Sequence, residues 1–359
     1  MRGTVGLRLV LALLLVFSVT ACSSGTKPTT NVPEKPVVKD GVVDTSFYKK
    51  DGPYVVGVSN VSVANAFRVQ MIAEIQAAAK KNPLVKDIIV TDAGGDANKQ
   101  IADIEDLIAQ NVDALIVAPA SATAVTPAVE KAYDAGIPVI IFNSDIESEK
   151  VVSRVLPPYN TWANQTAKWI AEALGGKGSV IALRGIAGLA AEADEWAGVE
   201  VVLAEHPDIK VIAAEHADWA YDKAKTAMAN MVANNPQVDG VLSIGDDMTW
   251  AAAEVLKARG YDVTQIPMIG IGGSNGFLKY WKANGLNAYV IADPTSISVI
   301  ALNTALDVLQ GKPVKANSVP DTIVIDNSNL DQFVKPDLPD SAWVGTELSN
   351  DDLKALLGQ

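Results

Sequence analysis

Short apolar runs alternate with longer stretches of helical periodicity along most of this chain. The clearest example begins at Tyr54, where the β-branched run at 55–58 predicts a strand and the small, partly polar residues 59–64 predict a loop. From Asn65 onwards apolar residues recur every three and four positions, which predicts a helix with one buried face: Phe67, Met71, Ile72, Ile75 and Ala79. In open α/β sheets, ligands bind where strand ends meet helix starts. We therefore expect this loop to help hold a small polar ligand.

The same alternation continues to about residue 292. Further strands are predicted at 87–90, 114–117, 138–142, 151–155, 179–183, 211–214, 240–244, 268–271 and 288–291. Helices are predicted between them at 97–110, 122–135, 161–174, 190–205, 220–233 and 248–259. Short apolar strands between longer helices indicate a parallel sheet covered on both faces, so the predicted fold class is α/β.

An internal sequence repeat indicates two similar lobes. The run at 112–117 (VDALIV) matches the run at 238–243 (VDGVLS), and the run at 137–140 (IPVI) matches that at 266–269 (IPMI). Two matches at nearly the same offset predict two doubly wound lobes. Ligand pockets favour such domain interfaces, so we expect a shared cleft.

The first 21 residues have the layout of a secretion signal. Arg2 and Arg8 precede a short apolar core that is too short to span a bilayer comfortably. Residues 19–22 (VTAC) resemble the lipobox of bacterial lipoproteins, in which Cys22 is lipidated and becomes the new N-terminus. The alternative is an ordinary signal peptide with a chance cysteine near its end. Residues 22–52 lack sustained periodicity and read as a tether between the membrane and the folded part.

Composition and motifs argue against several classes of function. The chain has 359 residues with 49% hydrophobic residues and a net charge of -13, which fits two domains and disfavours a nucleic-acid partner. Residues 272–276 match G-x-S-x-G, but His206 and His216 both precede this motif, whereas a nucleophile elbow needs a later histidine. Neither a phosphate loop nor a metal-ligand cluster is evident, so we expect no catalytic residue, cofactor or metal.

Acidic and aromatic residues follow several predicted strands. Asp246 could cap the next helix or contact a ligand, and Asp293 has the same two readings. Trp219 stands in a loop just after a strand, where a large ring is seldom only structural. The helical run Asp194-Glu195-Trp196 combines charges that are usually solvated with a ring that is costly to expose.

Seven short phrases stand in order over about residues 53–326: Asn65-Ala66-Phe67, Val112-Asp113-Ala114-Leu115, Ala135-Gly136-Ile137-Pro138-Val139, Gly185-Ile186-Ala187-Gly188, Ala217-Asp218-Trp219, Asp246-Asp247-Met248 and Gly311-Lys312-Pro313-Val314. Each is weak alone, but their order and spacing resemble the ribose-binding family of bacterial sugar-binding proteins. The resemblance implies the type I periplasmic binding protein fold, in which two parallel-sheet lobes joined by a three-strand hinge close on a sugar. It also implies a monomer that docks on the permease of an ABC importer.

Domain boundaries follow from the crossings that the resemblance implies near Pro157, Asp293 and Asp326. They place residues 53–157 and 293–325 in lobe 1, residues 158–292 and 326–348 in lobe 2, and residues 349–359 in a C-terminal tail. Trp343 and the amphipathic stretch 348–357 either pack on a lobe or close the hinge region.

The resemblance also suggests where a ligand binds. Phe67 and Trp219 stand at positions where family members place rings against sugar faces. Asn65 stands at a position where the family makes a polar contact. Asn143 stands where the family usually has an aspartate after the fourth strand. The presence of Asp145 and Asp293 resembles the branch of the family that binds autoinducer-2 and rhamnose-like sugars. The candidate ligand-binding residues are Asn65, Phe67, Arg68, Asn143, Asp145, Asp194, Glu195, Trp196, Trp219, Asp246, Asn275 and Asp293. Such an acidic set suits a ligand with several hydroxyl groups or one with a positive charge.

The leading hypothesis is a lipid-anchored extracytoplasmic protein that captures a sugar or polyol for an ABC importer. The alternatives are a sensor subunit that presents its closed form to a membrane receptor, and a binder of autoinducer-2 or a nucleoside. An enzyme on this fold is disfavoured because no base–nucleophile set is evident.

Overall fold

The computed structural model describes residues 35–357 of the chain. Its strands, in chain order, are β1 (Val38–Lys39), β2 (Val42–Val43), β3 (Tyr54–Asn60), β4 (Val85–Asp92), β5 (Ala114–Ala118), β6 (Val139–Phe142), β7 (Ser153–Val155), β8 (Lys177–Arg184), β9 (Asp208–His216), β10 (Gly240–Ser243), β11 (Pro267–Gly272), β12 (Asn287–Ala292), β13 (Val314–Lys315), β14 (Asn317–Ser318) and β15 (Ile323–Ile325).

The helices are α1 (Ala66–Lys81), α2 (Ala97–Ala109), α3 (Thr126–Asp134), α4 (Tyr159–Ala173), α5 (Ala190–Glu205), α6 (Tyr221–Asn234), α7 (Asp246–Ala258), α8 (Asn275–Asn284), α9 (Ile297–Leu309), α10 (Leu330–Phe333) and α11 (Asn350–Leu357). A single 3₁₀ turn (Ser46–Tyr48) precedes β3. The predicted helices and strands agree with these elements to within a few residues at most ends.

Two six-stranded sheets form the two lobes. The first has the order β4-β3-β5-β6-β7-β14 and is parallel throughout, and the second has the order β9-β8-β10-β11-β12-β15. In the second sheet only β15 runs antiparallel, against β12. The two lobes therefore repeat one doubly wound strand order, which confirms the predicted fold class.

Each lobe has its own hydrophobic core. The strands β3, β5 and β6 are almost continuously apolar and buried, as expected for a parallel sheet with helices on both faces. The corresponding core of the second lobe includes the fully buried Trp162 and Trp281. The carboxyl ends of the parallel strands thus form two rims on which short polar loops are held rigidly.

The chain passes between the sheets three times. The first two passages follow β7 and β12, near Pro157 and Asp293 as expected. The third lies between β14 and β15, several residues before the position expected near Asp326. The assignment of residues 293–325 to lobe 1 is therefore wrong at its end, because Ile323–Ile325 pairs with β12 of the second lobe.

The expected tether at 22–52 is also wrong for its second half. Strands β1 and β2 form a hairpin, and β2 pairs antiparallel with β13. Val43 and Tyr48 are buried in the core of lobe 1, and the Thr45 hydroxyl donates a 2.5 Å hydrogen bond to the carbonyl of Lys312. The segment belongs to the fold because its strand partner lies some 270 residues later.

The predicted signal peptide at 1–21, Cys22 and the tether up to residue 34 lie outside the described residues, as do the last two residues of the predicted tail. Within 35–357, none of the helices is both long and apolar enough to cross a bilayer.

Candidate functional site

A cavity lies where the strand ends of the two lobes face each other. It encloses about 80 Å³, several times the roughly 10–15 Å³ that one ordered water needs. Lobe 1 contributes Asn65, Phe67, Arg68, Asn143 and Ser144, and lobe 2 contributes Tyr159, Leu189, Ala191, Glu195, Trp219, Ile244, Gly245, Asp246, Asp247, Ile271 and Gly272. Asp293 from the second crossing and Trp343 from the C-terminal segment complete the lining.

Asp293 is the charged group at the centre of the hinge. The Tyr159 hydroxyl donates a 2.8 Å hydrogen bond to its Oδ2 atom, and Asn143 Nδ2 donates a 2.9 Å bond to the Tyr159 oxygen. Oδ1 of Asp293 is buried and has no hydrogen-bond partner within residues 35–357. Burial raises the pKa of Asp293 to about 7, although the bond from Tyr159 and the charge of Arg68 oppose that shift.

Arg68 supplies the positive charge of the cavity. Asn65 caps the N-terminus of α1 by accepting a 3.0 Å bond from the Arg68 amide, which fixes the first turn that carries Phe67 and Arg68. The guanidinium lies 5.9 Å from the Phe67 ring centroid, and its buried Nη1 atom has no partner in the described part of the chain. Burial lowers the pKa of Arg68, while Tyr159 and Asp293 raise it.

Glu195 lies on α5 of lobe 2 and lines the same cavity as Asp293. Its side chain is buried on α5, and Oε2 makes no hydrogen bond to any described residue. Burial raises the pKa of Glu195 well above its usual value, and the charge of Asp293 raises it further. Two buried carboxyl groups therefore present unpaired oxygen atoms around one cavity.

Trp219 is held between two loops of lobe 2. Its Nε1 donates a 2.9 Å bond to the carbonyl of Ile244, and its backbone has a left-handed φ of 53°. A Cβ atom on Gly185 would lie 2.2 Å from Cζ2 of the indole, so only glycine permits this ring position. The ring is thus placed by backbone geometry before any ligand contact.

Asp246 braces the loop after β11. Its Oδ2 accepts hydrogen bonds from the amides of Gly273 (2.6 Å) and Ser274 (2.7 Å), while Oδ1 is buried without a partner among the described residues. Burial and the neighbouring Asp247 raise its pKa to about 8. Asp246 therefore holds the loop with one oxygen and leaves the other for the cavity, and it does not cap its own helix.

Four of the predicted site residues do not line the cavity. Asp145 pairs with Nε of Arg154 at 2.8 Å, and Asn275 donates to the carbonyls of Lys335, Leu338 and Pro339. Asp194 and Trp196 flank Glu195 on α5, and neighbouring positions on a helix are turned away by about 100°. Trp196 instead lies over the guanidinium of Arg184 and donates to Glu200.

Ten of the lining residues were not among the predicted set, and two of these, Tyr159 and Trp343, are aromatic. Tyr159 begins α4 directly after the first crossing, and an aromatic residue after Pro157-Pro158 was the only available signal. For Trp343 the sequence left open whether it packs on a lobe or closes the hinge region. The structure places it against Phe67 with ring centroids 5.2 Å apart. Both depend on contacts between distant parts of the chain.

The structure places the serine of the G-x-S-x-G segment beside an acidic side chain. The Ser274 hydroxyl donates a 2.6 Å bond to Asp247, and neither histidine lines the cavity. In the part of the chain that the structure describes, no group of three or more His, Cys, Asp or Glu side chains is placed to hold a metal.

The profile of the periplasmic binding protein domain matches residues 56–313 of the chain. The chain belongs to this family. The relatives of this periplasmic binding protein include the xylitol-binding protein of Mycolicibacterium smegmatis, 32% identical over 72% of this chain and 73% of the relative. They also include the ribose import binding protein of Bacillus subtilis, which is 31% identical over 73% of this chain and 84% of the relative.

A solved structure with the same fold is an ABC transporter solute binding protein from Thermobispora bispora. It is 27% identical to this periplasmic binding protein, with a TM-score of 0.75 over 84% of this chain and 94% of the other. The profile ends at residue 313, so Trp343 lies outside the part that matches the family.

Proposed function

We propose that this protein is an extracytoplasmic solute-binding protein that captures a sugar or polyol between its lobes and delivers it to an ABC importer. The observation that carries the proposal is the pair of unpaired carboxyl oxygens, Oδ1 of Asp293 and Oε2 of Glu195, in one interlobe cavity beside Trp219. Carboxyl oxygens accept hydrogen bonds, most strongly when ionised, and hydroxyl groups are the donors that a sugar offers in greatest number.

The aromatic rings favour the same class of ligand. Trp219 and Phe67 line the cavity from opposite lobes, and flat rings pack well against the C–H faces of sugars. Arg68 adds a donor for a ligand oxygen. A molecule with C–H faces and several hydroxyl groups would satisfy the rings, the acceptors and the donor together.

Capture would stabilise the closed arrangement of the lobes. A ligand bonded to Glu195 of lobe 2 and Arg68 of lobe 1 contacts both lobes at once, so it favours the conformation in which both contacts form. The name of one relative, a ribose import binding protein, supports import as the outcome, and the name of the other, a xylitol-binding protein, supports a polyol as a ligand. We expect no covalent chemistry, because the cavity holds no serine, cysteine or lysine paired with a base.

The remaining features of the proposal concern the cell envelope. We propose lipidation at Cys22 after removal of residues 1–21, which would keep a monomeric binding protein at the outer face of the membrane near its permease. Labelling of cells with a radioactive fatty acid tests this directly. Label should appear on the wild-type protein and should be lost in Cys22→Ala, and an unlabelled wild-type chain would contradict it.

Isothermal titration of the mature chain against pentoses, pentitols and cyclitols tests the ligand class. At least one neutral polyhydroxylated compound should bind with a Kd in the micromolar range or below. A sugar acid of matched length is the control, since its carboxylate would face Glu195, Asp246 and Asp293. Binding of the acid in preference to every neutral compound would contradict the proposal.

A further inference from the structure

The C-terminal segment beyond the family match, residues 339–346, forms an additional link between the lobes. It lies against the loop after β11. There the backbone N–H of Asn275 donates to the carbonyl of Ala342 (2.7 Å), and the backbone N–H of Val344 donates to the carbonyl of Gly273 (2.9 Å). Trp343 forms an isolated antiparallel bridge with Ser274 between these two bonds. The segment is therefore fixed to lobe 2 by its backbone.

The same residue is also bonded to lobe 1. The Trp343 amide donates a 2.9 Å bond to Oε1 of Gln70, and Nε2 of Gln70 donates a 3.1 Å bond to the Trp343 carbonyl. Gln70 is fully buried on α1. Both backbone polar groups of Trp343 are thus held by one amide side chain of the opposite lobe, which fixes the backbone from which the indole extends.

The indole forms part of the cavity wall. It packs edge-on against Phe67 at an interplanar angle of 65° and lines the cavity. Its Nε1 atom is buried and has no hydrogen-bond partner among the residues described. By contrast, the buried indoles of Trp162 and Trp281 and the cavity residue Trp219 each donate within the protein.

A buried N–H group without a partner is unfavourable, and such groups are rare in folded proteins unless a ligand or water bonds to them. The other polar atoms that face the cavity without partners are mostly carboxyl oxygens, those of Glu195, Asp246 and Asp293, which accept hydrogen bonds when ionised. Each ligand hydroxyl that donates to one of these acids retains lone pairs that need a donor. Arg68 Nη1 is one such donor, and Trp343 Nε1 is a second.

We infer that Trp343 is a ligand-contacting, specificity-determining residue whose Nε1–H donates a hydrogen bond to an oxygen atom of the ligand. This inference rests on the proposed capture of a sugar or polyol and assigns part of the recognition to a segment outside the matched domain. A ligand that places a hydroxyl, ring or carbonyl oxygen beside Phe67 would be favoured over an analogue that lacks that oxygen.

Trp343→Phe is the test, because it keeps an aromatic ring beside Phe67 and removes the indole N–H donor. For the tightest neutral ligand of wild type, we expect affinity to fall about tenfold, as for the loss of one buried hydrogen bond. Trp196→Phe is the matched control, since this indole lies outside the cavity and bonds to Glu200. It should leave the affinity unchanged.

A series of deoxy analogues of the ligand distinguishes a direct contact between Trp343 and the ligand from a purely structural role of Trp343. The analogue that lacks the contacted oxygen should bind Trp343→Phe and wild type equally well, whereas a structural role would weaken every analogue alike. Equal affinity of wild type and Trp343→Phe for all ligands would overturn the inference and leave the proposed function intact. Failure of wild type to bind any compound would overturn the proposed function and the inference with it.

Spectroscopy of the wild-type protein provides a second readout if the variant does not fold. The chain has seven tryptophans, so the indole N–H region of a nitrogen-15 spectrum is simple enough to assign by substituting the others. The Trp343 resonance should move downfield when the ligand is added. A resonance that stays at its ligand-free position in the saturated complex would overturn the inference.

Discussion

The hydroxyl of Tyr159 donates a 2.8 Å hydrogen bond to Oδ2 of Asp293, and this bond joins the first and second crossings between the lobes. Asn143 of lobe 1 donates in turn to the Tyr159 oxygen. The three side chains fix the orientation of the Asp293 carboxyl group and direct its second oxygen to the cavity. The hinge therefore supplies a binding group as well as a pivot.

Tyr159→Phe should weaken ligand binding about tenfold, because Asp293 would lose the donor that orients it and the Asn143 amide would lose its acceptor. Titration calorimetry with the best neutral ligand measures the change. Tyr261→Phe is the control, since that hydroxyl bonds to the Pro236 carbonyl away from the cavity. Unchanged affinity in Tyr159→Phe would show that the bond does not prepare the site.

Gly185→Ala should reduce affinity at least about tenfold by displacing Trp219, since the added Cβ would lie 2.2 Å from the indole. Trp219→Ala should cause a similar loss. The double variant Gly185→Ala/Trp219→Ala removes the clash together with the ring, so it should bind no worse than Trp219→Ala alone. Additive losses in the double variant would indicate that Gly185 acts by some route other than the ring.

Ligand affinity should rise with pH between 6 and 8. Burial raises the pKa of Asp293 to about 7, so protonated Asp293 accumulates as the pH falls below 7. A ligand hydroxyl that donates to Oδ1 favours the ionised form, lowers the pKa in the complex and releases a proton on binding. The expected gain is up to roughly tenfold across this range.

Calorimetry in buffers of different ionisation enthalpy measures that released proton directly. Asp293→Asn should reduce both the released proton and the pH dependence. The remaining dependence would come from Glu195 and Asp246, whose pKa values are raised in the same direction. Affinity that is flat, or that falls with rising pH, would contradict the assignment.

Glu74→Ala should lower the free energy of unfolding by about 2 kcal/mol. Glu74 is buried on α1, where its Oε1 accepts hydrogen bonds from the hydroxyls of Thr295 and Thr346 and from Gln70. Its removal takes the shared acceptor away from the two threonine hydroxyls, which belong to the second crossing and the C-terminal segment. Urea denaturation followed by circular dichroism measures the change.

Glu105→Ala is the matched control for that experiment. Glu105 pairs with Lys131 on the surface, and such pairs contribute little to stability. A loss as small as that of the control would mean that the buried network around Glu74 does not hold the C-terminal segment in place.

Local patterns along the chain predicted the two-lobed α/β fold because strand and helix periodicity are local properties. The roles of Phe67 and Trp219 were also accessible, since rings that directly follow strand ends have few structural explanations. The structure places Phe67, Trp219, Glu195, Asp246 and Asp293 around the same cavity.

The errors arose where side-chain direction or distant pairing decides the outcome. Asp194 and Trp196 differ from Glu195 by one helical position, which turns their side chains away from the cavity. Asp145 stands at the right strand end, but Arg154 of the neighbouring strand pairs with it. Trp343 depends on Gln70, more than 270 residues earlier, and no local pattern could have shown that contact.

A crystal structure grown with the tightest neutral ligand from the titration panel tests the central claim most directly. We expect one ligand molecule between the lobes, with hydroxyl groups within 3.2 Å of Asp293 Oδ1 and Glu195 Oε2 and a C–H face against Trp219. A ligand bound elsewhere on the protein, or bound in the cavity without contact to either carboxyl group, would contradict the account.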